Sequence, residues 1–415
     1  MYQILCCKYI SISKYFSGKL LFHNYSYITL FYSRKESIVC LKFDFAERRG
    51  KPADVLPLWV ADMDFKTSSL VLDALTERVQ HGIFGYTESR ESYFEAVSKW
   101  MEAHHDWKVE RSWLTKTPGV VFALAKAVKA YSKAGDAVLI QQPVYYPFSE
   151  VIRDNNRKLV SNDLVLGDDG KYHIDFDDFE KQIVDNHVVL FLLCSPHNPV
   201  SRVWTAEELT KMGDICIKHG VTVVSDEIHE DFVFGDHQHT VFATIKKEFE
   251  QNSVTCTSHA KTFNLAGLQV SNIFIPNGTL RAVFRKQVDA AGYSQLNAMG
   301  LTACEAAYTH GETWYQAMMR YVESNIAFVR DYLKKELPQI KLIEPEGTYL
   351  LWLDFRALGM TEKERENLIV NQAKLWLDSG AIFGQVGEGF ERINVACPRA
   401  TIKEALDRLK AVITA

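Results

Sequence analysis

From about residue 68 the chain alternates between two hydrophobic periods, and that alternation restricts its fold more than any other feature. SSLVLDALTERVQHGI (68–83) and VVFALAKAVKAYSKAGD (120–136) space their apolar residues as helices do, the second stopping at Gly135. AVLIQQP (137–143) and VVLFLLCSP (188–196) are short, continuously apolar runs and read as buried strands. The helix TAEELTKMGDICIKHG (205–220) opens on Thr205 with Glu208 three positions on, a capping pair. VTVVSDE (221–227), SVTCTS (253–258) and VSNIFIP (270–276) are further strands. This order predicts an α/β fold with a mostly parallel sheet over 68–300. Ligands of such sheets bind at the carboxyl ends of the strands, so polar residues just past each strand are the places for chemistry.

Beyond residue 300 the character changes. Long helical stretches fill 300–336, and two strand-like runs flank Pro345 and Gly347 within 340–355. A helix over 362–378, the strand RINVACP (392–398) and a helix over 401–413 complete a smaller α+β unit. The 415 residues exceed the roughly 250–300 at which one core stops growing, so two domains are expected. The predicted layout is a large domain at 68–300 and a small one built from 34–67 and 301–415.

Composition excludes several functions. A net charge of −5 argues against a nucleic-acid partner, and no apolar run reaches the roughly 18 residues of a membrane span. Eight cysteines at irregular spacing, with no C-x-x-C pair, read as buried thiols of a reducing cytoplasm. His104-His105, and His237 with His239, lack the i, i+4 spacing of a helical metal site; they read as surface loop, and no metal is expected. Residues 1–35 hold five basic residues and no acidic one. This segment reads either as an organelle-targeting presequence or, better because it has a single Arg and no cleavage signal, as an extension from upstream of the true start.

Four strand ends carry candidate chemistry. TPGVVFALAKAV (117–128) opens a helix on Gly119, where free backbone N–H groups make an anion site. SPHNP (195–199) holds Asn198 rigidly between prolines, its amide free to meet a ligand oxygen. Asp226 ends the run VTVV, where a buried carboxylate needs a partner. Lys261 follows a strand among small and apolar residues, and a desolvated lysine is a ready nucleophile for an aldehyde. Singly, the Gly119 and Asn198 motifs are weak and read as an ordinary helix start and a turn, Asp226 is as good a helix cap, and a lone lysine is more commonly a solvated loop residue.

Their order is more telling. A helix start suited to phosphate, a P-x-Y turn at Pro143 and Tyr145, Asn198, Asp226 and a Ser-x-x-Lys ending at Lys261 together resemble fold type I enzymes of pyridoxal 5′-phosphate. LPLWVADMDF (56–65), FGYTE (84–88), QPVYYPF (142–148), SPHNPVSRVW (195–204), DEIHEDF (226–232), KTFNLAGLQVSNIFIPN (261–277), EPEGTYLLWLDF (344–355) and GEGFERINVACPR (387–399) look like the cystathionine β-lyase-type C–S lyases of the MalY/PatB group, within the class I/II aminotransferase superfamily. The likeness spans about residues 34–413 and leaves 1–33 outside it.

The resemblance implies roles residue by residue. Lys261 would bond the cofactor aldehyde and serve as catalytic base. Asp226 would pair with the ring nitrogen, Asn198 with the phenolic oxygen, and Tyr145 would stack on the ring. His229 stands where relatives often have Tyr and would lie beside the cofactor. Gly119, Val120 and Ser258 would hold the phosphate, and Tyr86 would reach the phosphate of a neighbouring subunit, implying a homodimer. Arg392 would clamp the substrate α-carboxylate. The implied reaction is αβ-elimination of cystathionine or another cysteine thioether to a thiol, pyruvate and ammonia. An aminotransferase, or a role in binding a regulatory protein, is the alternative. Two positions depart from pattern. Gln269 stands eight residues after Lys261, where many aminotransferases carry Arg but the lyase group does not. Ser201 stands where the group has Gly, so a left-handed turn there would be strained.

Overall fold

The apolar runs form one sheet with both faces covered. The computed structural model describes residues 39–293 and 295–414, so the basic extension at 1–33 lies outside the described residues. Seven strands make the larger sheet: β1 (Leu114–Thr117), β2 (Ala137–Ile140), β3 (Lys158–Ser161), β4 (Val188–Cys194), β5 (Thr222–Asp226), β6 (Ser253–Thr257) and β7 (Ser271–Phe274). Their order is β1-β7-β6-β5-β4-β2-β3. The pairs from β3 through β6 are parallel, and β7 alone runs antiparallel to both its neighbours.

Side-chain alternation explains why β4 is apolar at every position. Leu190 and Leu192 pack with Leu124, Val128 and Phe284 on one face. Phe191 and Leu193 pack with Phe179, Leu209 and Met212 on the other. Helices Val120–Tyr131 and Gly278–Asp289 cover the first face; Phe176–Asn186 and Ala206–His219 cover the second. The Thr205–Glu208 capping box forms as the sequence predicts.

The C-terminal part builds a second, antiparallel sheet from β8 (Lys341–Leu342), β9 (Leu350–Asp354), β10 (Asp378–Ser379) and β11 (Phe390–Asn394), in the order β8-β9-β11-β10. Leu56–Pro57 pairs with Leu375–Trp376, which ties the N-terminal segment to this part of the chain.

Three expectations need correction. The helix expected over 120–136 ends at Tyr131, and Gly135 belongs to a separate turn. The helix expected over 362–378 ends at Gln372: its last turns widen to π geometry, Lys374 takes φ +54°, and the chain leaves as the strand that pairs with Leu56–Pro57. His104 and His105 end the helix Glu91–His105, which buries Tyr93, Val97, Trp100 and Met101, so they are not surface loop. His105 Nε2 donates to the Asp231 carboxylate at 3.0 Å, and His239 is buried against Glu227 at 2.8 Å. Hydrogen bonding to buried carboxylates draws both rings inside, a long-range effect that local spacing does not carry.

Ser201 does adopt a left-handed conformation, φ +58°. Its hydroxyl donates to the Leu350 carbonyl at 2.9 Å, and its own carbonyl receives the N–H groups of Glu346 and Gly347. Ser201→Ala keeps the strained backbone and removes the hydroxyl, so it is expected to cost about 1 kcal/mol. Ser201→Gly relieves about 1 kcal/mol of backbone strain against the same loss and should be near neutral. Denaturant unfolding of the two variants checks this; an Ala variant more stable than the Gly variant would contradict it.

Candidate active site

Five strands of the larger sheet deliver their carboxyl ends to one cleft. β1 leads into Pro118-Gly119, β2 into the turn before Tyr145, β4 into Asn198, β5 ends at Asp226, and β6 leads through Ser258 to Lys261. The cleft encloses about 730 Å³ of atom-free space, part of it open to solvent. Gly119, Val120, Tyr145, Asn198, Asp226, His229, Ser258 and Lys261 all line it, as does Gln269.

Lys261 sits in the four-residue helix His259–Thr262, directly after β6. Its Nζ donates to the Ala61 carbonyl at 2.5 Å. Burial pushes its pKa down to about 8; Arg392 adds to that, while Asp62 and Asp226 oppose it. Asp226 is 5 % exposed. Its Oδ1 accepts from the Ile228 N–H at 3.2 Å, and no ion pair among the described residues reaches it. Burial lifts its pKa to about 7.

The helix Val120–Tyr131 begins at Gly119 with no side chain capping it, so the first N–H groups face the cleft unclaimed. Ser258 is less available than the sequence suggests. Its hydroxyl donates to the Val270 carbonyl at 2.8 Å and accepts from the Ala260 N–H at 3.2 Å. Asn198 Oδ1 accepts from Arg392 Nη1 at 2.9 Å. His229 is buried against Tyr349 and Phe232 with its Nδ1 unpartnered, and burial drives its pKa well down, so the ring is neutral. Arg392, on β11, reaches the site from the smaller sheet and is 3 % exposed.

Tyr86 is the one predicted site residue that stands apart. It lies on the loop between the helices Ser69–His81 and Glu91–His105, 98 % exposed, beside a separate depression lined by Arg78, Tyr93 and Glu305.

The sequence reading passed over residues that complete the site. Tyr349 Oη donates to the same Ala61 carbonyl at 3.0 Å. Lys42, fully buried, lies 2.7 Å from Asp64 and 3.6 Å from Asp62. Asn394 and Asn264 bind the backbone of residues 60–65 through side-chain amides. The visible signal was two acids inside the apolar block WVADMDF. Glu227, Glu230 and His239 also bring potential metal ligands within 4.8 Å of one another, but Glu227 is engaged by His239 and the Phe242 N–H.

The family model for aminotransferase class I and II matches residues 53–409. The chain is 45 % identical over 361 residues to cystathionine beta-lyase PatB of Bacillus subtilis (strain 168), covering 87 % of this chain and 93 % of that protein. Among solved structures it resembles cystalysin of Treponema denticola, which contains pyridoxal 5′-phosphate: TM-score 0.89, 39 % identity, 94 % of this chain and 99 % of that one. It also resembles the PLP-bound C-S lyase of Staphylococcus hominis: TM-score 0.85, 31 % identity, 95 % and 99 % covered.

The cleft fits that cofactor on its own terms. A buried carboxylate with no contact ion pair among the described residues suits a protonated ring nitrogen, an uncapped helix start suits a phosphate, and a desolvated lysine suits an aldehyde. Without cofactor, Asp226 is a liability above its unfolded pKa. Its folded pKa is raised, so unfolding releases protons and this stability term is lost as pH rises from about 4 to about 7, by roughly 4 kcal/mol. Cofactor-free Asp226→Asn is therefore expected to melt above the cofactor-free native protein at pH 8, with the difference shrinking towards pH 4. Thermal unfolding across pH checks it; a lower melting temperature for the variant at pH 8 would contradict it.

Proposed function

The chain belongs to the aminotransferase class I and II family, and from that premise we infer that it is a pyridoxal-phosphate-dependent carbon–sulfur lyase. It takes a cysteine thioether of the cystathionine kind and water to a thiol, pyruvate and ammonia. The observation that carries this reading is the presence, in one cleft, of a desolvated lysine and a buried carboxylate that no ion pair among the described residues reaches. When bound, pyridoxal phosphate supplies an aldehyde for the substrate amine and a protonated ring that accepts the electron pair left at Cα.

The chain's own residues do the rest. Lys261 would hold the cofactor at rest and, once free, would take the Cα proton; an amine with a pKa near 8 is poised for that near neutral pH. The Ala61 carbonyl gives the Nζ a place to donate while it waits. Asp226 would keep the ring nitrogen protonated and would gain from it a charged partner for its buried carboxylate. The N–H groups of Gly119 and Val120 would hold the phosphate, joined by Ser258 if its hydroxyl turned from the Val270 carbonyl; Tyr145 would stack on the ring, and Asn198 would meet the phenolic oxygen. His229, kept neutral by burial, would pack beside the ring. Arg392 binds the substrate α-carboxylate.

A homodimer fits the surface. Ile83, Phe84 and Tyr86 are 67 %, 60 % and 98 % exposed on one loop, an apolar group that a second copy would cover. Tyr86, remote from its own cleft, would then serve the neighbour's. The six described cysteines are all free, which suits a reducing cytoplasm, and no described helix is long and apolar enough to cross a membrane.

Purified holoenzyme given L-cystathionine is expected to release pyruvate and a free thiol with no 2-oxo acid added. Lys261→Ala should lower that rate by at least about a thousandfold. Product that appears only when a 2-oxo acid is supplied would make the protein an aminotransferase. Light scattering should give twice the chain mass, falling towards one chain mass for Phe84→Asp; a native monomer would overturn the shared-site reading.

A further inference from the structure

Arg392 is not free to clamp anything in the present arrangement. A guanidinium offers a carboxylate two paired edges, Nε with Nη2 and Nη1 with Nη2, and both need Nη2. Here Nη2 donates to the Asp378 carboxylate and to the Trp59 carbonyl, so both of its hydrogens are committed. Nη1 donates to Asn198, and Nε is buried with no acceptor. The free hydrogens left, on Nε and Nη1, do not lie side by side. No bidentate pair can form while Asp378 stays.

The contact is built into the sheet. Asp378 on β10 and Arg392 on β11 are directly opposite in the antiparallel register, where side chains share a face. Both are buried, at 6 % and 3 % exposure, so the pair is little screened by water.

We propose that Asp378 is an internal occupant of the carboxylate clamp, a specificity-determining residue that a substrate carboxylate must displace from Arg392 before the bidentate pair forms. This rests on reading Arg392 as the substrate clamp. Displacement leaves Asp378 buried without its cation. The groups that face it are Arg392 and Glu391 on β11, Tyr145 and Tyr146 at the cleft wall, and Lys51. Lys51 is paired with Glu366 at 2.6 Å and makes no contact ion pair with Asp378. The displaced carboxylate therefore takes one proton from solvent for each substrate carboxylate bound. Burial already holds the Asp378 carboxyl above its ordinary value despite Arg392, which eases that step. Substrate affinity should weaken as pH rises.

The test uses 3-(methylthio)propanoate, a thioether carboxylate with no amine, titrated into holoenzyme from pH 6.5 to 8.5. Asp378→Asn keeps the shape and removes the competing charge. It should bind at least tenfold tighter than the native protein at pH 8 and lose the native weakening with pH, while Asp378→Glu retains both. The native infrared difference spectrum should show a protonated carboxyl band on binding, absent from Asp378→Asn. Equal affinity and equal pH slope in native and Asn proteins would overturn the proposal. So would a native difference spectrum without the carboxyl band, a result that needs no variant to fold. If Arg392→Ala binds the probe as well as the native protein does, the reading of Arg392 itself fails. If it does not bind while Asp378→Asn behaves as native, only the role of Asp378 fails.

Discussion

The amine of Lys261 lies part-buried in the cleft, where desolvation acts on it, and much of the site is what that condition requires. Desolvation disfavours the charged form, so the amine needs an acceptor close by; it finds the Ala61 carbonyl. That carbonyl belongs to the segment 59–65, which crosses the cleft without forming a strand. Buried backbone must still satisfy its polar groups. Asn394 takes the carbonyls of Val60 and Asp62, Asn264 takes those of Met63 and Phe65, and Arg392 takes that of Trp59. Lys42 anchors the same segment through Asp62 and Asp64. Breaking a buried pair of that kind by removing one partner typically costs about 3–5 kcal/mol. These contacts fix the carbonyl to which Lys261 donates.

The same lack of water sets the electrostatics. Burial lifts the Asp226 pKa to about 7 and lowers that of Lys261 to about 8, bringing an acid and a base of ordinarily distant pKa to neighbouring values. Each is then responsive to a ligand that adds one charge. At the other wall, Arg392 and Asp378 cancel one another almost in contact, so the site carries its cation masked. One end of the cleft awaits a cation and the other holds one in reserve, which suits an amino-acid substrate bound across a protonated ring.

What the sequence revealed was local. The apolar runs located the sheet because both faces of each strand are covered, and the residues just past the strands located Asn198, Asp226 and Lys261 because strand ends share one edge. The capping box at Thr205 was legible because it spans four residues. Contacts between distant residues were not. Lys261 and Ala61 are 200 residues apart, and Asn394 reaches Asp62 across 332. His105 and His239 were misread for the same reason: the carboxylates that draw them inside lie on other elements. Asp378 fell within a stretch read as helix, so its place opposite Arg392 could not be seen until the strand register was known.

The claim that Lys261 is the residue bonded to the cofactor can be tested directly. Holoenzyme reduced with borohydride, digested and mapped by mass spectrometry should carry the cofactor mass on Lys261, and Lys261→Ala protein should carry none. Stable labelling of a different lysine, such as Lys42, with Lys261 unmodified would contradict the account.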